Sequence, residues 1–387
     1  MRVAMVLPGL HRVVRGAEVA FEAIAAELSN YPDVEVTLFG AGQPRSDQPY
    51  GFCHVPYVPR ERFEKGWPFL PILRSEYIYE ELSFTWNLLR RYRAADFDVT
   101  VTCSYPFLNW FLRWRRSSKA PLRPAHLFVT QNSDHPAYDN QSEYAWFSCE
   151  GLVCTNLEYF ERNRERWPST VITNGVDPNR FSPPDPAQLP QLRAQFDLPA
   201  DKPIALIVSA LIPSKRIVEG LRAAAQVPDL QVVVCGDGPD REVVRQVGQE
   251  CLGDRFHPKK LPYGQMPDIY RAADFLLHLS LDEPFGNIYL EALATGLPVV
   301  AHDREVTRWI VEETAVLVDS LNPGAIVAGM ALALTRKSAA EVQARLDLVQ
   351  RRFTWRAIGQ QYYEFLQSTL AQPNRLGQTH HSGDLDR

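Results

Sequence analysis

Residues 2–7, 34–39, 98–103, 126–130, 151–155, 203–210, 231–235, 275–279 and 297–301 are short runs rich in apolar residues. Most give way within a few positions to Gly, Pro, Asn, Ser or Asp, and stretches of helix formers lie between them. A run such as Phe275-Leu-Leu-His-Leu279 has no polar face to turn to water, so it reads as a strand covered on both sides in a parallel sheet. Parallel strands need long crossovers, normally helices. The alternation therefore predicts an α/β chain, with helices packed on the sheet faces.

At 387 residues there is length for two domains, each with its own core. Apolar residues make up 45%, yet no run is long enough for a membrane-spanning helix. The opening Met1-Arg-Val-Ala-Met-Val-Leu7 is stopped by Pro8-Gly9, too soon for a secretion signal. Cysteines 53, 103, 149, 154, 235 and 251 form no CxxC pair and read as reduced core thiols of a cytoplasmic protein. A net charge of −5 without a basic stripe argues against nucleic acid.

One stretch concentrates the chemistry. After the strand at 275–279 come Asp282, Glu283, Pro284, Phe285, Gly286 and Asn287, then helix formers to Thr295 and a capping Gly296. Asn287 is the predicted N-cap. Glu283 falls at the carboxyl end of the strand, where ligands bind in open α/β sheets. Amides near Gly286 and Asn287 would face an anion at the positive end of the helix. Glu291 would then be free to accept bonds from two neighbouring hydroxyls. Taken singly, either acid reads as an ordinary loop or helix residue.

Together, the two acids at Glu-x7-Glu spacing, with Phe285, Gly286 and Asn287 between them, resemble the signature of retaining glycosyltransferases with the GT-B fold, in particular glycosyltransferase family 4. The segment Asn174-Gly-Val-Asp-Pro-Asn-Arg-Phe181 and Lys215 carry the same resemblance. It implies two Rossmann-like doubly wound domains facing a central cleft: residues 1–181 for the acceptor and 182–352 for the nucleotide-sugar donor. A terminal helix, 353–371, would cross back to the first domain, ahead of a disordered tail, 372–387. The linker is placed at 182–200, which is Pro-rich and polar.

The resemblance assigns roles residue by residue. Glu283 would contact hydroxyls of the donor sugar, Glu291 the ribose, and Lys215 the diphosphate. Main-chain groups near Leu261 would read the base, with Phe285, Gly286 and Asn287 beside the donor. Arg15 and Gly16, opening a helix after the first strand, would reach the donor phosphate; relatives have two glycines there. The arginine that usually partners the lysine is replaced by Ala210, so Arg15 or Arg216 is expected to supply the second charge. For Arg15 the ordinary alternative is a solvent-facing loop residue. Gln131 or Asn132 fills a slot where relatives carry a sugar-binding histidine, and Asp134 or His135 would meet the acceptor. An Asx-type turn into Pro136 is an equal alternative there. Residues 105–123, basic and aromatic, admit peripheral contact with the inner face of a membrane, although core packing of a crossover helix comes first.

The function implied is transfer of a hexose-type sugar from a nucleotide-diphosphate sugar to an acceptor hydroxyl, with retention and without a metal or other cofactor. Asp384-x-Asp386 lies in the polar tail, a poor place for a catalytic metal. Two rivals are a nucleotide-sugar-binding protein with weak or lost activity and a nicotinamide oxidoreductase. The second would be built on Gly236-Asp-Gly238, where a third glycine is replaced by Arg241.

Overall fold

The computed structural model describes residues 1–63, 73, 75–113, 123–131, 133–139 and 142–371. The chain forms two compact units. One comprises residues 1–154, 159–170 and those from 359 onward; the other comprises 155–158 and 171–358.

The strands of the first unit are β1 (Arg2–Val6), β2 (Glu35–Gly40), β3 (Gly51–His54), β4 (Val99–Thr102), β5 (Ala125–Val129), β6 (Gly151–Cys154) and β7 (Ser169–Val171). They form one sheet in the order β3-β2-β1-β4-β5-β6-β7. Pairing from β3 to β6 is parallel throughout. β3 is not among the strands the sequence predicts. Its side chains are only partly covered, as befits a sheet edge, so it lacks the apolar signal of the inner strands. Val6, Phe39, Phe84, Leu88 and Leu108 pack one core layer, and Phe128, Phe147 and Leu152 belong to another. Each such side chain removed from water is worth roughly 1.5–3 kcal/mol.

Helix Phe107–Arg113 lies within the stretch considered for membrane contact, and residues 114–122 lie outside the described residues. Arg113, only 9% exposed, pairs with Glu150, and Arg123 reaches the same carboxylate at 3.2 Å. Two cations of that stretch are thus turned inward. No helix among the described residues is long and apolar enough to cross a membrane. The last helix, Trp355–Ala371, packs into this unit from residue 359 on. Tyr363 stacks on Tyr31 with centroids 4.0 Å apart and donates to Asp33 at 3.0 Å.

The second unit contains β8 (Ile204–Val208), β9 (Gln231–Cys235), β10 (Phe256–Lys259), β11 (Phe275–His278), β12 (Val299–His302) and β13 (Val316–Val318). Their order is β10-β9-β8-β11-β12-β13, all parallel, the doubly wound order of a Rossmann fold. Phe285, Leu290, Leu293 and Phe353 belong to one apolar layer, and Leu221, Val232, Phe275 and Met330 to a second. Residues 171–181, expected with the first domain, pack here: the Val176 amide donates to the Phe353 carbonyl at 2.7 Å, and Gly175 lies against the Trp355 ring. The linker region 182–200 contains a helix, Leu189–Gln195. Its polar sequence conceals an anchor, for Arg193 is 4% exposed and bonded to Asp274 at 2.9 Å.

Candidate active site

Strand order in the second sheet reverses between β8 and β11, which are hydrogen-bonded neighbours. That reversal opens a crevice at the carboxyl ends of the two strands, because the following helices leave on opposite faces. β8 leads to Lys215 through a short 3-10 turn, Pro213–Lys215, and β11 leads to Glu283. The fold thereby joins two residues 68 positions apart: Lys215 Nζ donates to Glu283 Oε2 at 2.7 Å. His278, the last residue of β11, reaches the same oxygen through Nε2 at 2.9 Å.

Burial alone would raise the Glu283 carboxyl. The His278 bond and the Lys215 charge outweigh it and bring the pKa to about 2. Glu283 is therefore an anion at any ordinary pH. Its other oxygen, Oε1, has no hydrogen-bond partner among the described residues. Sequence reading passed over His278, although a histidine inside an otherwise apolar strand needs a buried partner, and that is a usable signal.

The helix after the loop runs Asn287–Ala294. Its N-cap is Gly286, at φ +76°, and not Asn287 as the sequence suggested. A Cβ at Gly286 would come within 2.7 Å of the Tyr289 ring, so glycine is required by both conformation and space. Asn287 is the first helical residue, and its side chain accepts from Asn174 Nδ2 at 2.9 Å. Phe285 is buried in the core, where its ring meets Phe353 edge-on. Gly296 sits at φ +75° just beyond the helix, the left-handed closure expected of it.

Glu291 is the fifth residue of that helix and is partly buried. Burial lifts its pKa to about 7, against smaller opposing effects from the neighbouring Tyr270 hydroxyl and the Arg180 cation. Arg180 stacks over Tyr263 at 3.8 Å from the ring centroid. Leu261 lines a cavity of about 200 Å³ together with Gln195, Phe196, Lys259, Gln265 and Asp268. The hydroxyls of Ser209 and Ser280, just past β8 and β11, are buried without a partner among the described residues.

The other predicted residues each have their own surroundings. Arg216 adopts φ +54°; it donates to the Ser320 carbonyl at 3.2 Å and pairs with Glu219 at 3.3 Å. Its guanidinium is engaged by protein groups. In the first unit, Arg15 and Gly16 are exposed at the start of helix Gly16–Leu28. Gln131 is partly buried, and Asn132 lies outside the described residues, as do Asp384 and Asp386. Asp134 is 1% exposed and bonded to Asn163 at 2.8 Å and Arg162 at 3.2 Å, which commits it to structure. His135 is exposed, with Nε2 3.2 Å from the Tyr138 hydroxyl. Gly236 and Gly238 owe their identity to packing, since a Cβ on either would strike the main chain at Ser209 or Leu211.

Two Rossmann-like domains of this kind constitute the GT-B fold, and comparison with solved structures bears this out. Sucrose-phosphate synthase from Thermosynechococcus elongatus superposes with a TM-score of 0.74 at 20% identity, covering 96% of this chain and 99% of that one. An Anabaena protein solved in complex with UDP-glucose superposes at 0.70 and 17% identity, over 95% of this chain and 100% of that one. Residues 190–348, the span containing Lys215, Glu283 and Glu291, match the family model of glycosyl transferases group 1. A D-inositol 3-phosphate glycosyltransferase of Corynebacterium glutamicum is 26% identical over 355 residues, 81% of this chain and 83% of that protein. Together these findings support a glycosyltransferase.

Proposed function

We propose that the protein transfers a sugar from a nucleotide-diphosphate sugar to an acceptor hydroxyl, with retention at the anomeric carbon and without a metal ion. The observation that carries this reading is the convergence of Lys215 and Glu283 at the reversal point of the second sheet, beside a helix opened by Gly286. The helix start presents amide donors and a partial positive charge to the diphosphate. Lys215 adds a full charge at the bridging oxygen, and Glu283 Oε1 accepts from the sugar. Glu291, four residues further along the helix, takes the ribose.

In the reaction the bond from the anomeric carbon to the phosphate oxygen breaks and the bond to the acceptor oxygen forms on the same face. The acceptor proton passes to the departing phosphate oxygen, so no side chain has to serve as a strong base. Charge developing on the leaving group is met by Lys215 and the helix amides, which are oriented before the reaction begins. The Anabaena protein solved with UDP-glucose makes a uridine donor the first to try.

A thermal-shift panel of nucleotide sugars tests the reading, since a ligand bound only by the folded state raises its stability by mass action. Product analysis by NMR then reads the anomeric configuration. An inverted product would overturn retention, and loss of turnover on chelation would overturn metal independence. Tight donor binding without turnover would favour a binding protein.

A further inference from the structure

Phe285 anchors the far end of the loop that presents Glu283, but the residues just before Glu283 have little apolar burial: Leu281 is 37% exposed, and the Asp282 side chain 86%. Side chains from three other segments add polar restraints to the loop. Asn156, wholly buried, donates to the Pro284 carbonyl at 2.8 Å. Asn174 grips Asn287 on the far side. Arg304, which follows β12, spans the middle. Its Nη1 donates to Asp282 Oδ1 at 3.0 Å and to the Glu283 carbonyl at 3.4 Å, while Nη2 donates to Glu158 Oε2 at 2.9 Å.

We infer that Arg304 is a positioning residue for sugar recognition: it fixes the Glu283 main chain and thereby aims the Glu283 carboxylate at the donor sugar. This rests on the transferase reading above. A planar guanidinium is suited to the task, because its fork can bond two acceptors at fixed angles where an ammonium offers a point charge. With one partner as exposed as Asp282, the ion pair itself adds little stability. The consequence of the arrangement is geometric. Two acids already engage Arg304, which leaves the diphosphate to Lys215 and the helix start. The anchor Glu158 comes from residues 155–158, so a short piece of the first half of the sequence helps set the loop of the second unit.

The test compares R304A and R304K with the unmodified full-length chain by amide exchange over 279–288. It also compares calorimetric affinities for UDP-glucose and GDP-mannose with those for UDP and GDP. Exchange in the loop is expected to rise about tenfold in R304A, with the remainder of the unit unchanged. Affinity for the nucleotide sugar should fall about tenfold while that for the nucleoside diphosphate moves less than about threefold, since only the sugar meets Glu283. R304K, charged but without the fork, should lie nearer to R304A than to the unmodified protein. Unaltered loop exchange in both variants, or equal losses for nucleotide sugar and nucleoside diphosphate, would overturn the inference. If the unmodified protein binds none of the four nucleotides and no nucleotide sugar of the thermal-shift panel, the transferase reading fails and sugar aiming with it. Slow loop exchange dependent on Arg304 would then survive as a purely structural restraint.

Discussion

Lys215 Nζ lies 2.7 Å from Glu283 Oε2, and both side chains are less than one-fifth exposed. The two groups proposed to face opposite ends of the donor's reacting centre are thus bonded to each other in the protein alone. A diphosphate arriving at the helix start would share the Lys215 charge with Glu283, so the lysine is held ready by its own neighbour.

Removing one member of that pair leaves a charge buried without its partner. Lys215→Met and Glu283→Gln should each cost roughly 3 kcal/mol in urea unfolding, and the double variant less than the sum. In turnover with a nucleotide sugar, Lys215→Ala should lose about 10²–10³-fold. Strict additivity in unfolding would show that the contact carries no coupling.

If Glu291 takes the ribose as proposed, nucleotide binding should depend on pH. Its pKa, raised to about 7, leaves it largely protonated at pH 6 and ionised at pH 8. A carboxylate accepts two hydroxyl bonds where the acid accepts fewer, so UDP affinity should strengthen from pH 6 to 8. Glu291→Gln should flatten that profile. A profile equally steep in the variant would exclude Glu291 as its source.

In the first unit, Glu81 is 1% exposed and burial raises its pKa to about 8. The folded state therefore holds this proton more tightly than the unfolded chain, whose carboxyl titrates near 4.5. Stability from this group is full below pH 4.5 and declines as pH rises towards 8. Glu81→Gln still accepts from the Leu108 amide, so its unfolding midpoint should decline less between pH 6 and 9 than that of the unmodified protein. Parallel declines would refute the assignment.

Gly286→Ala would combine a left-handed backbone with a Cβ in the Tyr289 ring. Destabilisation of about 1–3 kcal/mol is expected, with nucleotide affinity lost as the helix start shifts. A variant that melts and binds normally would remove the strict need for glycine.

The inner strands were legible because a strand covered on both faces must be largely apolar, as 232–235 and 275–277 are. β3 and helix Leu189–Gln195 were not, since an edge strand and a helix held by one buried arginine carry no periodic apolar pattern. Within the candidate site, the spacing of Glu283 and Glu291 was readable along the chain. The roles of Asp134, Arg216 and Phe285 were not, because each depends on what the fold places beside it.

Local order along the sequence determined where the inner strands, the turns and, to within one residue, the helix start beside Gly286 fall, because those follow from side-chain shape and backbone freedom over a few residues. Only the tertiary structure decided that Lys215 meets Glu283, that His278 shares the same oxygen, and that Asn156, Asn174 and Arg304 restrain one loop. Those partners are scattered along the chain, and it is the reversal of strand order between β8 and β11 that brings Lys215 to Glu283. That reversal is a property of how the sheet is assembled, which no local stretch encodes.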